Sequence, residues 1–290
     1  MLLELFLDGN KVALETGRFP DGAVRVRLLP PRLARAEKLK VRATAMRNMD
    51  DLMLLAQVMD AARSQYDLRW TTLELPWLPY ARQDRNMQEG DSFALKVFAG
   101  FLNQLGFDRI RVLDPHSDVA GAVVNNMVAI PQHLCLRHSA NLMEKLHGGM
   151  MLMAPDAGAL KKIHAVAQQV AAREYGILGK HRDLSSGALS GFSLLQGDVA
   201  GKDVLIADDL CDAGGTFIGS AAVLRAAGAR SVSLYVTHGL FSRDVAALLQ
   251  QGIDHIWTTT SVADPAIAGE RVELIDIETI YNNKGAAHAH

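Results

Sequence analysis

Val204-Leu205-Ile206-Ala207-Asp208-Asp209-Leu210-Cys211-Asp212-Ala213-Gly214-Gly215-Thr216 is the stretch on which the fold turns. An apolar run over Asp203–Ala207 reads as a strand, and apolar spacing from Thr216 to Ala227 reads as a helix closed by Gly228. Between them stand three acids, two glycines and a hydroxyl. A strand that hands a loop to a new helix delivers it to the carboxyl edge of a parallel sheet, where ligands bind in open α/β folds. Gly214 and Gly215 let backbone amides converge on an anion. The helix adds its N-terminal dipole and Thr216 a hydroxyl. Asp208 and Asp209 would repel that anion, so they must serve another part of the ligand. The vicinal hydroxyls of a sugar satisfy two carboxylates, with or without a magnesium ion.

Outward from this loop, short apolar runs alternate with helical stretches. Helices are expected over Asp50–Tyr66, Phe93–Leu105 and Leu160–Tyr175. Strands are expected over Thr71–Pro79, Arg109–Leu113, Met150–Ala154, Gly176–Gly179, Phe192–Gln196, Ser231–Thr237, His255–Thr260 and Arg271–Ile275. Met1–Asn10 reads as an edge or first strand. The alternation is that of βαβ units. With 290 residues, it predicts an α/β protein of two domains, each a mostly parallel sheet flanked by helices. The boundary is placed near Leu142, giving domains over 1–142 and 143–281 and a frayed tail over 282–290.

Composition narrows the function. Thirty Lys and Arg against 32 Asp and Glu leave a formal charge of −2, which offers no basic patch for nucleic acid. Two cysteines, Cys135 and Cys211, are too few and too far apart for a disulfide scaffold or a zinc site. No run approaches the roughly 20 apolar residues of a membrane helix. These features predict a cytoplasmic protein with no membrane and no nucleic-acid partner.

The Asp208–Thr216 loop resembles the phosphoribosyl pyrophosphate loop of type I phosphoribosyltransferases and of their relatives, the ribose-phosphate pyrophosphokinases. Four further segments resemble the second family. Pro79-Tyr80-Ala81-Arg82-Gln83-Asp84-Arg85 is similar to its nucleotide loop, and Asp114-Pro115-His116-Ser117-Asp118 to its Asp-x-His segment. Pro155-Asp156-Ala157-Gly158-Ala159 is similar to its pyrophosphate loop, and Lys180-His181-Arg182 to the Lys-x-Arg of its catalytic loop. Thr237-His238-Gly239 adds a fifth match, and the order of the segments is the family's. The Ser/Gly-rich stretch over 183–190 reads as a mobile continuation of that catalytic loop.

The resemblance implies a magnesium-dependent enzyme that transfers the diphosphoryl group of ATP to ribose 5-phosphate, with the active site where the two domains meet. It implies that Asp208, Asp209, Asp212, Ala213, Gly214, Gly215 and Thr216 hold ribose 5-phosphate. Phe19 and Asp21 of a neighbouring subunit, with Arg82, Gln83, Asp84 and His116, hold ATP. His116 and Asp156 attend the metal, Mg2+, and Lys180 with Arg182 stabilises the transferring group. A homo-oligomer with its ATP site at a subunit interface follows from the same resemblance. The alternatives are a phosphoribosyltransferase that consumes phosphoribosyl pyrophosphate, and a regulatory subunit without activity. The chain departs from the family at Ala23, where a Glu normally reads the adenine, which predicts weaker base selectivity. It departs again over Asn86–Asp91, which is acidic where relatives are basic, and at Pro115 and Val119.

Overall fold

The computed structural model describes residues 1–29, 35–182 and 189–283, without the side chains of 181, 182, 189 and 190. The chain divides into two compact units, one over Met1–Ile130 and one beginning at Pro131. The division thus precedes Leu142. The reason is local: on the far side of Pro131, the Ser139 hydroxyl donates to Glu273 Oε1 at 2.5 Å, tying this segment to the second unit's last strand.

The first unit holds seven strands: β1 (Leu2–Leu7), β2 (Asn10–Arg18), β3 (Val24–Leu29), β4 (Lys38–Thr44), β5 (Trp70–Leu75), β6 (Arg109–Leu113) and β7 (Met127–Ile130). Their order in the sheet is β3-β2-β1-β4-β5-β6-β7. From β4 to β7 the strands pair in parallel. From β3 to β4 they pair antiparallel, so this sheet is mixed and β1 lies inside it. The cause is the Asp8-Gly9 connection, where both residues adopt positive φ (46° and 85°). Two such residues make the tight turn whose twist matches a hairpin. Apolar positions of alternate register (Leu39, Val41, Leu73, Leu75, Ile110, Val112) are buried beneath the helices Met49–Gln65 and Ala94–Gln104. Each such side chain stabilises the fold by roughly 1.5–3 kcal/mol relative to leaving it exposed. A buried carboxylate, Glu74, accepts from Arg42 Nε at 2.7 Å and Arg111 Nη1 at 3.1 Å across β4, β5 and β6.

The second unit repeats the design with β8 (Met151–Ala154), β9 (Tyr175–Arg182), β10 (Leu189–Gln196), β11 (Asp203–Cys211), β12 (Ser231–Gly239), β13 (Ile256–Thr259) and β14 (Val272–Ile275). Their order is β10-β9-β8-β11-β12-β13-β14, parallel throughout except for the β9–β10 pair. β11 is central, and Val204, Leu205 and Ile206 on it are fully buried. It runs on to Cys211, pairing Asp208 with Val236 and Cys211 with Gly239, so the acidic pair sits on the strand and not in the loop. The helix expected over Leu160–Tyr175 stops at Gln169. Ala171 there turns to φ 53°, and Ala172 N–H donates back to Ala167 O, a left-handed cap that frees Tyr175 to begin β9. No helix among the described residues is long and apolar enough to cross a membrane.

Candidate active site

In the second unit the site grows from the end of β11. Asp209 is 7% exposed, and its N–H donates to Asp208 Oδ1 at 2.9 Å. Gln132 holds the strand from below, donating Nε2–H to the Asp208 carbonyl at 2.7 Å. Burial pushes the Asp208 carboxyl well above its usual range, and the charge of Asp209 beside it adds to the rise. Lys162 offsets part of it. Full ionisation of both carboxyls together is therefore disfavoured. Burial also pushes the Cys211 thiol up to about 12, with help from Asp208 and Asp212, so it stays protonated and serves no nucleophilic role at neutral pH.

Gly214 ends the loop at φ 79° and caps the helix Gly215–Ala226. A side chain there is doubly excluded, since a Cβ would stand 2.7 Å from Leu248 Cδ2. Phe217 and Ile218 N–H both return to the Gly214 carbonyl at 3.0 Å. The N–H groups that open a helix have no carbonyl one turn back to receive them. With Thr216 in the first turn, Gly215 and the exposed residues Asp212 and Ala213 thus frame a cradle for an anion. His238 is a different matter. It is 2% exposed, and Nδ1 pairs with Ser261 Oγ at 2.9 Å, while Thr259 Oγ1 donates to the Thr237 carbonyl at 2.6 Å. The Thr237-His238-Gly239 segment is a buried network that fixes the end of β12.

Asp156 and Lys180 come together. Lys180 Nζ reaches Asp156 Oδ2 at 2.7 Å, with side chains 22% and 33% exposed. Asp156 Oδ1 caps the turn Ala157–Ala159, accepting from Ala159 N–H at 3.1 Å. The second cation of the pair, Arg182, lies outside the described side chains, and residues 183–188 lie outside the described residues.

In the first unit the two loops expected to meet a nucleotide follow neighbouring strands, β5 and β6. Arg82 and Gln83 are exposed, as is His116. Tyr80 turns the first loop at φ 61° and receives Gln83 N–H at 2.9 Å. Asp84 is 7% exposed: Arg85 grips it with two hydrogen bonds, and the Ser117 hydroxyl donates to it at 2.5 Å. Arg85, first, then Ser117 and the charge of His116 hold its carboxyl down to about 2 against the opposing effect of burial. Asp114, two residues before His116, is 1% exposed at φ 38°, and its N–H donates to the Ile130 carbonyl. Phe19 and Asp21 occupy the β2–β3 turn, where Phe19 is 53% exposed and Asp21 accepts Ala23 N–H at 3.0 Å. The Asn86–Asp91 loop closes on itself, with Met87 and Gln88 N–H donating to the Asp91 carboxylate.

Among the described residues no three His, Cys, Asp or Glu side chains cluster as a metal cage. The donor set still fits magnesium, which binds through one or two carboxylates and completes its sphere with water and phosphate oxygens. A cavity of about 480 Å³ lies at the opposite edge of the second sheet, where β8, β11, β12 and β13 begin. Two of its cations are already paired, Lys202 with Glu174 and Arg230 with Asp203, and it stands away from the loops described above. Sequence reasoning missed Gln132 and the contact made by Ser117, and it left Lys162 between a source of positive charge and a solvated lysine. A lysine at a helix start looks like solvated surface, and contacts across loops leave no local pattern.

Comparison with known proteins bears on both units. Residues 192–284 match the family model of the phosphoribosyl synthetase-associated domain. The chain is 31% identical over 239 residues to the ribose-phosphate pyrophosphokinase of Granulibacter bethesdensis, covering 81% of this chain and 73% of that protein. It is 28% identical over 260 residues to that of Pyrococcus abyssi, covering 89% and 87%. The crystal structure of phosphoribosylpyrophosphate synthetase from Mycobacterium smegmatis shares the fold, with a TM-score of 0.78 at 24% identity, covering 95% of this chain and 91% of that one.

Proposed function

The chain belongs to the ribose-phosphate pyrophosphokinase family, and we propose that its own residues divide that reaction between an anion cradle, a nucleotide frame and a mobile cation. It transfers the β,γ-diphosphoryl group of ATP to the anomeric hydroxyl of ribose 5-phosphate. A bond forms from the anomeric oxygen to the β-phosphorus, the bond from that phosphorus to the bridging oxygen breaks, and AMP departs with that oxygen. The hydroxyl proton passes to water.

The single observation that carries the reading is the end of β11: a half-buried Asp208 beside a buried Asp209, followed by a left-handed glycine that opens a helix. Gly214, Gly215 and Thr216 take the 5-phosphate, with Asp212 and Ala213 closing the cradle. Asp208 and Asp209 accept hydrogen bonds from the ribose hydroxyls. Arg82 forks onto phosphate oxygens or stacks on the base, Gln83 adds directional hydrogen bonds, and His116 lies against the phosphates. Phe19 and Asp21 reach a neighbouring copy's nucleotide, which makes the working form a homo-oligomer. Asp156 would hold the magnesium ion that enters with ATP, and the ion would neutralise charge on the phosphate oxygens.

Asp156 cannot serve a cation and Lys180 fully at once. Their 2.7 Å pair supports a reading in which Lys180 waits on Asp156 and turns to the β-phosphoryl group when substrates bind. Together with Arg182 it stabilises the charge of the transition state by position and electrostatics, with no covalent intermediate. The test is AMP release by the purified chain with magnesium and ATP. AMP that appears only with ribose 5-phosphate, and falls at least about a hundredfold in Lys180→Ala, supports this assignment. AMP release untouched by Lys180→Ala would remove the lysine from the mechanism.

A further inference from the structure

We infer that Asp84 is a positioning residue which, through the Ser117 hydroxyl, locks the turn carrying His116 to the loop carrying Arg82 and Gln83. The inference rests on the nucleotide reading of those three residues and changes the role of the fourth. Every observation at Asp84 points inward. Its Oδ1 accepts Arg85 Nε at 2.7 Å, and its Oδ2 accepts Arg85 Nη2 at 2.9 Å and Ser117 Oγ at 2.5 Å. At 7% exposure it has little surface to offer a ligand. A carboxylate facing a triphosphate would also repel it, whereas one neutralised by a bidentate guanidinium does not.

What the carboxylate does reach is the neighbouring loop. β5 and β6 pair in parallel, so the loops that follow them leave the sheet side by side. Each is anchored on its own: Leu95 N–H donates to the Gln83 carbonyl at 3.2 Å, and Asp114 N–H to the Ile130 carbonyl at 2.8 Å. Leu113 N–H to the Pro76 carbonyl, at 3.3 Å, joins their bases. Asp84–Ser117 joins them farther out, one residue from Gln83 on one side and one residue from His116 on the other. Two loops that grip one nucleotide must hold a fixed position relative to each other. A link made before binding removes part of the cost of fixing them.

Binding of magnesium-ATP to the full chain, followed by titration calorimetry, tests the lock. Ser117→Ala should raise the ATP dissociation constant about tenfold, the equivalent of about 1.4 kcal/mol, and leave ribose 5-phosphate binding unchanged. Ser117→Thr restores the hydroxyl and should bind ATP within about twofold of the parent. Asp84→Asn keeps an oxygen for Ser117 and should weaken ATP by no more than about threefold. It also speaks if Ser117→Ala fails to fold. Unchanged ATP affinity in Ser117→Ala overturns the inference. So does equal loss of both ligands, or a loss beyond about a hundredfold in Asp84→Asn, which would make Asp84 a direct contact. Because the readout is binding, a parent chain that binds ATP but forms no AMP would defeat the proposed reaction while this test still decides the lock.

Discussion

Asp208 is the residue at which binding and stability oppose each other. Its folded carboxyl has a raised affinity for protons, so its contribution to stability is present at low pH and is lost as pH rises through the raised value. Ionising it there works against the fold, because burial and the charge of Asp209 both oppose the carboxylate. Asp208→Asn keeps an oxygen for the Asp209 N–H, removes that charge, and should raise the melting temperature by about 2–4 °C for each kcal/mol relieved. The same change should abolish ribose 5-phosphate binding, as expected where a site is kept at the expense of stability. A melting temperature that falls would contradict this account of the pair. At Ala23 the prediction concerns choice of base. The parent should turn over GTP and CTP at rates within about tenfold of ATP, and Ala23→Glu should narrow that range by supplying an acceptor for the adenine amino group. Strict ATP dependence in the parent would sink it. These residues were legible in the sequence because adjacent acids, glycines and a strand announce themselves locally. Ser117 was not, because it acts through Asp84, a neighbour that only the tertiary fold supplies.

Among the elements, the β11-loop-helix unit was legible down to its cap, and only its strand ran longer than its apolar stretch. Partners on β12 extend the pairing through two acids whose side chains have somewhere polar to point. Gly214 carries the sharpest prediction at this scale. Gly214→Ala meets both a positive φ and Leu248 at 2.7 Å, so it should destabilise the chain by about 1–3 kcal/mol and weaken ribose 5-phosphate binding. Thermal unfolding with and without the sugar phosphate checks both; a variant as stable as the parent would show that the loop tolerates another backbone. The hairpin of β1 and β2 hid in plain view. Asp8-Gly9 is a turn signal, yet reading it as a hairpin required seeing Asn10–Arg18 as a strand, and that segment shows alternation with few buried positions. The early end of the Leu160–Gln169 helix had no such signal, since Ala171 seldom adopts a left-handed conformation.

For the molecule as a whole, the two-sheet organisation followed from alternating runs, and the family from the order of its motifs. The number of subunits did not, since a single sequence carries no count of its copies. The exposed Phe19 at the tip of the β2–β3 turn suggests how to find a partner copy. Chains carrying Phe19→Ala and chains carrying Arg82→Ala should each be weak in AMP formation, and mixing them should restore part of the activity if one subunit completes another's nucleotide site. No recovery on mixing would place both residues in the same subunit's site. Phosphorus NMR of the products formed from magnesium-ATP and ribose 5-phosphate tests diphosphoryl transfer to the sugar phosphate. The products should be AMP together with a diphosphate carried on the anomeric carbon of the sugar. ADP with a second monophosphate on the sugar, or no sugar-linked diphosphate at all, would contradict that transfer.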